Sequence, residues 1–204
     1  MPYRRTPAVQ ARLDGRRDAL LRAAAELLAE QGYTGCSVAA VADRAGIATG
    51  SVYQHFTGKA ELAVELFRTV VGGEVAAVTA AASGPALTPQ QRVTAVVETF
   101  AARALRAPRL AYALLAEPVD PAVDAERLVF RRTFRDVIAA QIAAGVAAGD
   151  LPRQDAELTA AALVGAVGEA LVGPLAAGAA PADLVPALLS FTLRALGGHD
   201  AADS

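Results

Sequence analysis

The sequence predicts an all-α fold of nine helices arranged in two parts. Three observations carry that expectation: nearly every segment repeats its apolar residues at helical period, no run of alternating Val, Ile and Thr marks a strand, and Gly/Pro clusters cut the chain into helix-sized pieces. A first helix is expected over residues 14–31, with Leu13, Leu20, Ala24, Leu27 and Leu28 on one face and Gly32 as its stop. Ser37 is the N-cap candidate of a short second helix over 37–45, and Gly46-Ile47-Ala48 is a tight turn before a third over 49–56. Thr57 is read as the cap of a fourth, from Lys59 towards Ala82, which ends at the Ser83-Gly84-Pro85 break. Thr88-Pro89-Gln90-Gln91 offers a Thr N-cap, proline at N1 and Gln at N3 for a fifth helix ending near Ala107. The remaining helices are expected over 109–116, 123–148, 155–175 and 181–196, with Gly149-Asp150-Leu151-Pro152 as a strong stop after the seventh.

The 204 residues carry 19 basic side chains, eighteen of them arginine, against 21 acids, a net charge of −2 that excludes a polybasic nucleic-acid binder. The charge is unevenly divided. Residues 1–60 hold eight basic groups and five acids, a local +3, which suits a small module facing a polyanion. One cysteine excludes an internal disulfide framework and a multi-cysteine metal site, and two histidines leave little for a histidine site; no metal and no cofactor are expected. Lone Cys36 is read as inert. The N-terminus has no apolar signal region, and the apolar stretch 158–182 is broken by Pro174, Pro181 and four glycines, so a cytoplasmic chain without a membrane partner is expected. Residues 1–12 read as a flexible basic arm, 13–58 as the small module, 59–196 as a larger helical domain and 197–204 as a polar tail.

Residues 37–59 hold the informative pattern. Two short helices joined by a three-residue turn that opens with glycine form a helix-turn-helix, with Ala42 small where the helices cross and Val41, Ile47, Val52 and Phe56 as its core. Gly46 falls where the second helix must end in a left-handed conformation. With Val52 and Phe56 turned inward, the third helix presents Thr49, Gly50, Ser51, Tyr53, Gln54 and His55. These are hydrogen-bonding groups on a nearly uncharged surface, as entry into a DNA major groove requires.

The run from Gly32-Tyr33 through Ser37-Val38-Ala39-Ala40-Val41-Ala42-Asp43-Arg44-Ala45-Gly46-Ile47-Ala48-Thr49-Gly50-Ser51-Val52-Tyr53-Gln54-His55-Phe56-Thr57-Gly58-Lys59-Ala60-Glu61-Leu62 resembles the DNA-binding domain of TetR-type (tetracycline-repressor-like) bacterial transcriptional regulators. The likeness covers about residues 14–66, and beyond them extends to size and helix order only. It implies a nine-helix homodimer: helices 1–3 bind operator DNA, helices 8 and 9 dimerise, and an unidentified small molecule enters among the middle helices of a ligand-binding and dimerisation bundle to release the DNA. Ala48 stands at the N-cap of helix 3 where many relatives have Ser, and Thr49 offers the substitute hydroxyl.

Gln54 is then the base reader, since its amide can pair bidentately with adenine. Thr49, Gly50 and Ser51 at the helix N-terminus suit a phosphate or base edge, and Tyr53 and His55 suit phosphate or sugar. Lys59 is a phosphate anchor by resemblance, and Ser37 and Arg44 are further DNA candidates. Arg4, Arg5, Arg12, Arg16 and Arg17 supply non-specific attraction or a minor-groove arm. The plainer alternatives are a His55 packed beside Phe56, a Tyr53 covering helix 1 and an Arg44 that is merely solvated. Phe100, Arg103, Tyr112, Phe130, Arg131 and Phe134 have spacings that let them line one cavity, against the alternative of an ordinary aromatic core. Glu169, the one charge in residues 158–182, is expected to be buried with a partner: an arginine of helix 7, a group of a second protomer or a cationic ligand. Leu163, Val167, Ala170, Leu171, Pro174, Leu184, Leu188 and Phe191 are the expected dimer contacts. Gly72-Gly73 reads as close helix packing or as a bending point. An enzyme is the remote alternative, because no nucleophile–base pair, metal spacing or phosphate loop is visible. A DNA-binding dimer without a ligand is the nearer one.

Overall fold

The computed structural model describes residues 7–84 and 86–197; the arm arginines Arg4 and Arg5 and the tail beyond 197 lie outside the described residues. Within them the chain forms α1 (Pro7–Gly35), α2 (Val38–Arg44), α3 (Thr49–Val52), α4 (Lys59–Ala82), α5 (Pro89–Arg106), α6 (Pro108–Leu115), α7 (Pro121–Ala148), α8 (Ala156–Ala177) and α9 (Leu184–Ala195), with no strand among the described residues. The expected helices are all present. Most boundaries fall within three residues of expectation, and the departures have physical reasons.

The arm is the first departure. Residues 7–12, expected to be flexible, are helical: Pro7 begins α1, where its missing N–H costs nothing, and Gln10 donates to Asp14 one turn on at 2.9 Å. At the other end Gly32 breaks the helix as expected, with φ +70°, and one more turn follows to Gly35. The second departure is α3, which is four residues long; Gln54 N–H to Ser51 and His55 N–H to Val52 close tighter turns instead of continuing it. Ala48 is its N-cap without a side-chain cap, so Thr49 does not supply the missing hydroxyl. Thr57 does not cap α4 either: Gly58 is the N-cap, and the Thr57 N–H and hydroxyl both donate to Glu61, at 2.6 and 2.7 Å. By contrast Ser37 accepts the Ala40 N–H at 3.1 Å, and Thr88 and Gln91 form the reciprocal capping box that opens α5.

One cluster of buried side chains runs from α1–α3 through α4 into α5, α7 and α8, so the small N-terminal module shares its core with the larger bundle. A second joins Val97 and Ala101 of α5 to Val167, Leu171 and Leu175 of α8 and Leu188 of α9. Helix α8 is long and apolar enough to cross a membrane by length and composition, with a third of its most apolar window buried inside the chain.

The glycines separate two kinds of requirement. Gly46 has φ +66° in the turn between α2 and α3, whereas a Cβ on Gly72 or Gly73, mid-α4, would meet nothing within 4 Å. Close packing therefore does not account for the Gly72-Gly73 pair. Gly46→Ala is expected to destabilise by about 1–2 kcal/mol through left-handed strain. Gly72→Ala and Gly73→Ala should each stabilise by up to about 1 kcal/mol. Thermal unfolding checks both, with midpoint shifts of roughly 2–4 °C per kcal/mol in opposite directions.

Candidate nucleic-acid interface and internal cavity

Val41, Ala42, Val52 and Phe56 are at most 1% exposed, and Ile47 is half-buried beside them, so the expected core of the helix-turn-helix is formed. It fixes α3 on α1 and leaves Thr49, Gly50, Tyr53 and Gln54 exposed, with Ser51 and His55 half-buried. Tyr53 is 58% exposed, which rules out its role as a cover for α1. The outward surface of this element is uncharged and offers hydroxyl, amide and imidazole groups.

The cations around it are held in three different ways. Arg44 is clamped onto α1 by two hydrogen bonds to Glu30, at 3.0 and 2.7 Å, with Glu26 at 3.4 Å, so its charge is already balanced. Arg17 pairs with Glu65 at 2.5 Å while its guanidinium lies 5.2 Å from the Phe56 ring centre. The ammonium of Lys59 sits 4.4 Å over the Tyr33 ring, without a carboxylate partner among the described residues. Arg12 and Arg16 are exposed on α1. Cys36 is buried, its thiol directed at the Ala24 carbonyl and its pKa raised by burial, in keeping with an inert thiol.

Tyr33 ties this module to the bundle. The Gly32 kink releases the Tyr33 N–H from the helix, and Glu117 accepts it at 2.9 Å; the phenol donates to Asp120. Burial, then the bond to Asp120, raises the Tyr33 pKa and keeps the hydroxyl protonated. Arg109 of α6 donates to the Glu30 carbonyl of α1. Arg127 of α7 in turn holds the end of α6, donating to the carbonyls of Leu114 at 2.8 Å, Ala113 at 3.1 Å and Glu117 at 2.8 Å. None of these polar pairs is visible in sequence spacing, because each joins different elements that only the tertiary fold brings together.

Phe100, Phe130 and Phe134 come together as expected. Their rings form edge-to-face contacts at 4.9 Å (Phe100–Phe134) and 4.6 Å (Phe130–Phe134). They line an almost wholly apolar cavity of about 30 Å³ with Arg131, Leu163, Val167 and Gly168. A second cavity of about 40 Å³, lined by Arg103, Glu74 and Leu110, shares Phe100, Leu115 and Phe130 with the first. These three side chains are the partition between the two spaces. Arg103 does not offer a free charge there, because Glu74 holds it bidentately at 2.6 and 2.7 Å.

The other expected ligand and dimer residues are distributed differently. Tyr112 lines a separate groove of about 210 Å³ between α1 and α6, with Gly32, Arg109 and Glu117. Glu169 is exposed on α8, has no partner among the described residues and lines neither cavity, so within its own chain it is not buried and no arginine of α7 pairs with it. Leu163, Val167, Leu171 and Leu188 are buried in the chain's own core and are not available to a second protomer. Ala170, Pro174 and Leu184 are half-buried, and Phe191 is 39% exposed. The open face of α8 is instead Leu158, Ala162, Gly165, Glu169, Gly173 and Ala176, at three- and four-residue steps.

Three carboxylates hold the α1–α2–α4 corner, and all have lowered pKa values: Glu30 through its hydrogen bond from Arg44, Glu61 through the Thr57 backbone and hydroxyl, and Glu65 through Arg17 and Arg68. A folded-state pKa below the unfolded one contributes stability that is complete above the ordinary carboxylate range and is lost as pH falls through it. The urea midpoint is therefore expected to fall between pH 6 and pH 3.5. Replacing Glu30, Glu61 and Glu65 with Gln should flatten that dependence.

Residues 20–66 match the family model described as bacterial regulatory proteins, tetR family. Over 60 residues the chain is 43% identical to the HTH-type transcriptional repressor KstR2 of Mycobacterium tuberculosis, a match covering 29% of this chain and 30% of that protein. It is 37% identical over 87 residues to the HTH-type transcriptional activator FasR of Mycolicibacterium smegmatis, covering 43% of this chain and 39% of the relative. The matched segments thus span well under half of these relatives. The fold is shared more widely: the FadR transcriptional regulator of Bacillus subtilis, solved in complex with stearoyl-CoA, superposes with a TM-score of 0.75 over 89% of this chain and 98% of its own, at 19% identity.

Proposed function

We propose that this chain, which belongs to the tetR family of bacterial regulatory proteins through residues 20–66, is a dimeric, sequence-specific transcription regulator of the cytoplasm. It represses from a palindromic operator and is released by an apolar or aromatic small molecule. The observation that carries the reading is the uncharged, hydrogen-bonding surface of α3 and the turn after it, held on a closed hydrophobic core beside Lys59. Gln54 reads a base edge, Thr49, Gly50 and Ser51 approach the backbone or a base at the helix start, and Tyr53, His55, Ser37 and Lys59 contact phosphate or sugar. Arg44, balanced by Glu30 and Glu26, serves the α1–α2 corner instead.

The effector enters at the Phe100–Phe130–Leu115 partition, where turning aside these side chains joins the two small cavities into one chamber. The stearoyl-CoA held by B. subtilis FadR, a protein of this fold, supports a ligand with an extended apolar part. Displacement of α6 and the adjoining loop then reaches Tyr33 through Glu117 and Asp120, and with it the seat of Lys59. The ligand acts by population shift: it favours a spacing of the two recognition elements that no longer matches major grooves about 34 Å apart. A second copy pairs through the open face of α8 with Phe191 of α9, which places Glu169 within the interface.

Selection from a random duplex pool at moderate salt tests the reading, and an enriched inverted repeat is the expected result. Gln54→Ala should then lose discrimination between that operator and random DNA while keeping salt-sensitive, unselective binding. Equal losses on both DNAs would remove Gln54 from base readout. The dimer is tested separately. Ala162→Arg, at an exposed position, should leave the helical content intact and convert the dimer to monomer in sedimentation velocity, and an unchanged dimer would exclude this face.

A further inference from the structure

The apolar cavity adjoins a second space of different chemistry. A groove of about 330 Å³ runs between α7 and α8, lined by Leu128, Arg131, Arg132, Arg135 and Val164 among others, with Gly165 at its margin, on the α8 face proposed for pairing. Arg131 and Val164 belong to both linings, so groove and cavity meet at these two residues. The guanidinium of Arg131 lies against α8 at that junction, its Nη2 3.7 Å from where a Cβ on Gly168 would stand, an ordinary contact distance.

The three arginines differ in what they hold. Arg135 is engaged by Asp136 at 3.0 Å and by Glu157 at 3.3 Å. Neither Arg131 nor Arg132 has an ion-pair or hydrogen-bond partner among the described residues. Two adjacent guanidiniums without a carboxylate partner, beside an apolar wall that includes Leu128, 60% exposed, form a positive surface suited to an anion. The cavity behind cannot take that anion, because a charge without a polar partner is costly in an apolar lining. A phosphate group, by contrast, matches the fork of donors that each guanidinium presents.

We infer that the groove seats the phosphate-bearing head of an amphiphilic effector whose apolar tail occupies the chamber between Phe100, Phe130 and Phe134. The inference rests on the effector reading above and adds to it the chemical class of the ligand: a long apolar chain joined to a phosphate ester. Arg131 stands where head and tail meet. Arg132 supplies the second guanidinium, and Arg135, already balanced, forms the outer wall. A purely apolar molecule would fill the chamber and leave both arginines to solvent, gaining nothing from their charge.

The experiment titrates the full-length protein by calorimetry with dodecyl phosphate, 1-dodecanol and lauroyl-CoA, and repeats each titration on the Arg131→Ala/Arg132→Ala variant. Dodecyl phosphate is expected to bind at least tenfold more tightly than 1-dodecanol. The variant should lose that difference while its affinity for 1-dodecanol stays within twofold, a readout that a merely unfolded variant would fail. Lauroyl-CoA binding more tightly than dodecyl phosphate would support the inference with a nucleotide carrier, and the reverse order would support it with a simple phosphate ester. Equal affinities for dodecyl phosphate and 1-dodecanol in the wild type would overturn the arginine site and leave the effector chamber standing. Binding of none of the three would remove the chamber and the inference together. A variant that binds dodecyl phosphate like the wild type but sediments differently would overturn the proposal and give the arginines to an interface between copies.

Discussion

The kink at Gly32 is the constraint on which the two halves of the molecule depend. A helix that continued unbroken would satisfy the Tyr33 N–H internally and direct its side chain elsewhere. With φ at +70° the N–H is freed in a half-buried place, where an unpaired donor is costly, and Glu117 answers it. The phenol that follows is itself 8% exposed and finds Asp120. The helix-turn-helix module is thus bound to the loop after α6 by two carboxylates that meet a single residue. Over the face of the Tyr33 ring lies Lys59, so one side chain has the bundle on its edge and an ammonium without a carboxylate partner on its face.

The interior of the bundle is organised around a different tension. Its aromatic rings pack edge to face at good distances, yet they leave two spaces each about the size of a water molecule, separated by movable side chains. A well-packed aromatic core resists opening, so a ligand that enters must recover the contacts it breaks. The apparent affinity is then reduced by the small population of the open state. Arg103 and Glu74 add a polar clasp between α4 and α5 at the edge of the second space, next to Gly72-Gly73, whose outward side is open.

How much was legible followed the range of the interactions. The helix-turn-helix depends on contacts three and four residues apart, and the Ser37 cap, the Gly46 turn and the Val52–Phe56 anchor could all be read from spacing. The capping box at Thr88 is equally local. The links from Tyr33 to Glu117 and Asp120, or from Arg127 to the end of α6, join residues that only the tertiary fold brings near. The faces of α8 were misread for another reason: the helix is apolar all round, and Ala and Gly on the outside alternate with Leu and Val inside without a clear period. A signal was nevertheless present. A lone carboxylate such as Glu169 on an apolar helix marks the side that is not buried in its own chain, whatever partner it meets beyond it. The positions one and two turns from it are the exposed ones.

Lys59 has a chemical consequence of its own. It is the single lysine among the chain's 19 basic residues, the rest being arginine, and its ammonium rests on an aromatic ring at the proposed DNA surface. Reagents that acylate lysine amines therefore meet one side chain in the whole sequence. A fluorophore or cross-linker placed by amine chemistry would reach, besides the chain's α-amine, one side chain only, on the proposed operator-facing surface, where bound DNA is expected to protect it. The protein carries its own built-in footprinting probe.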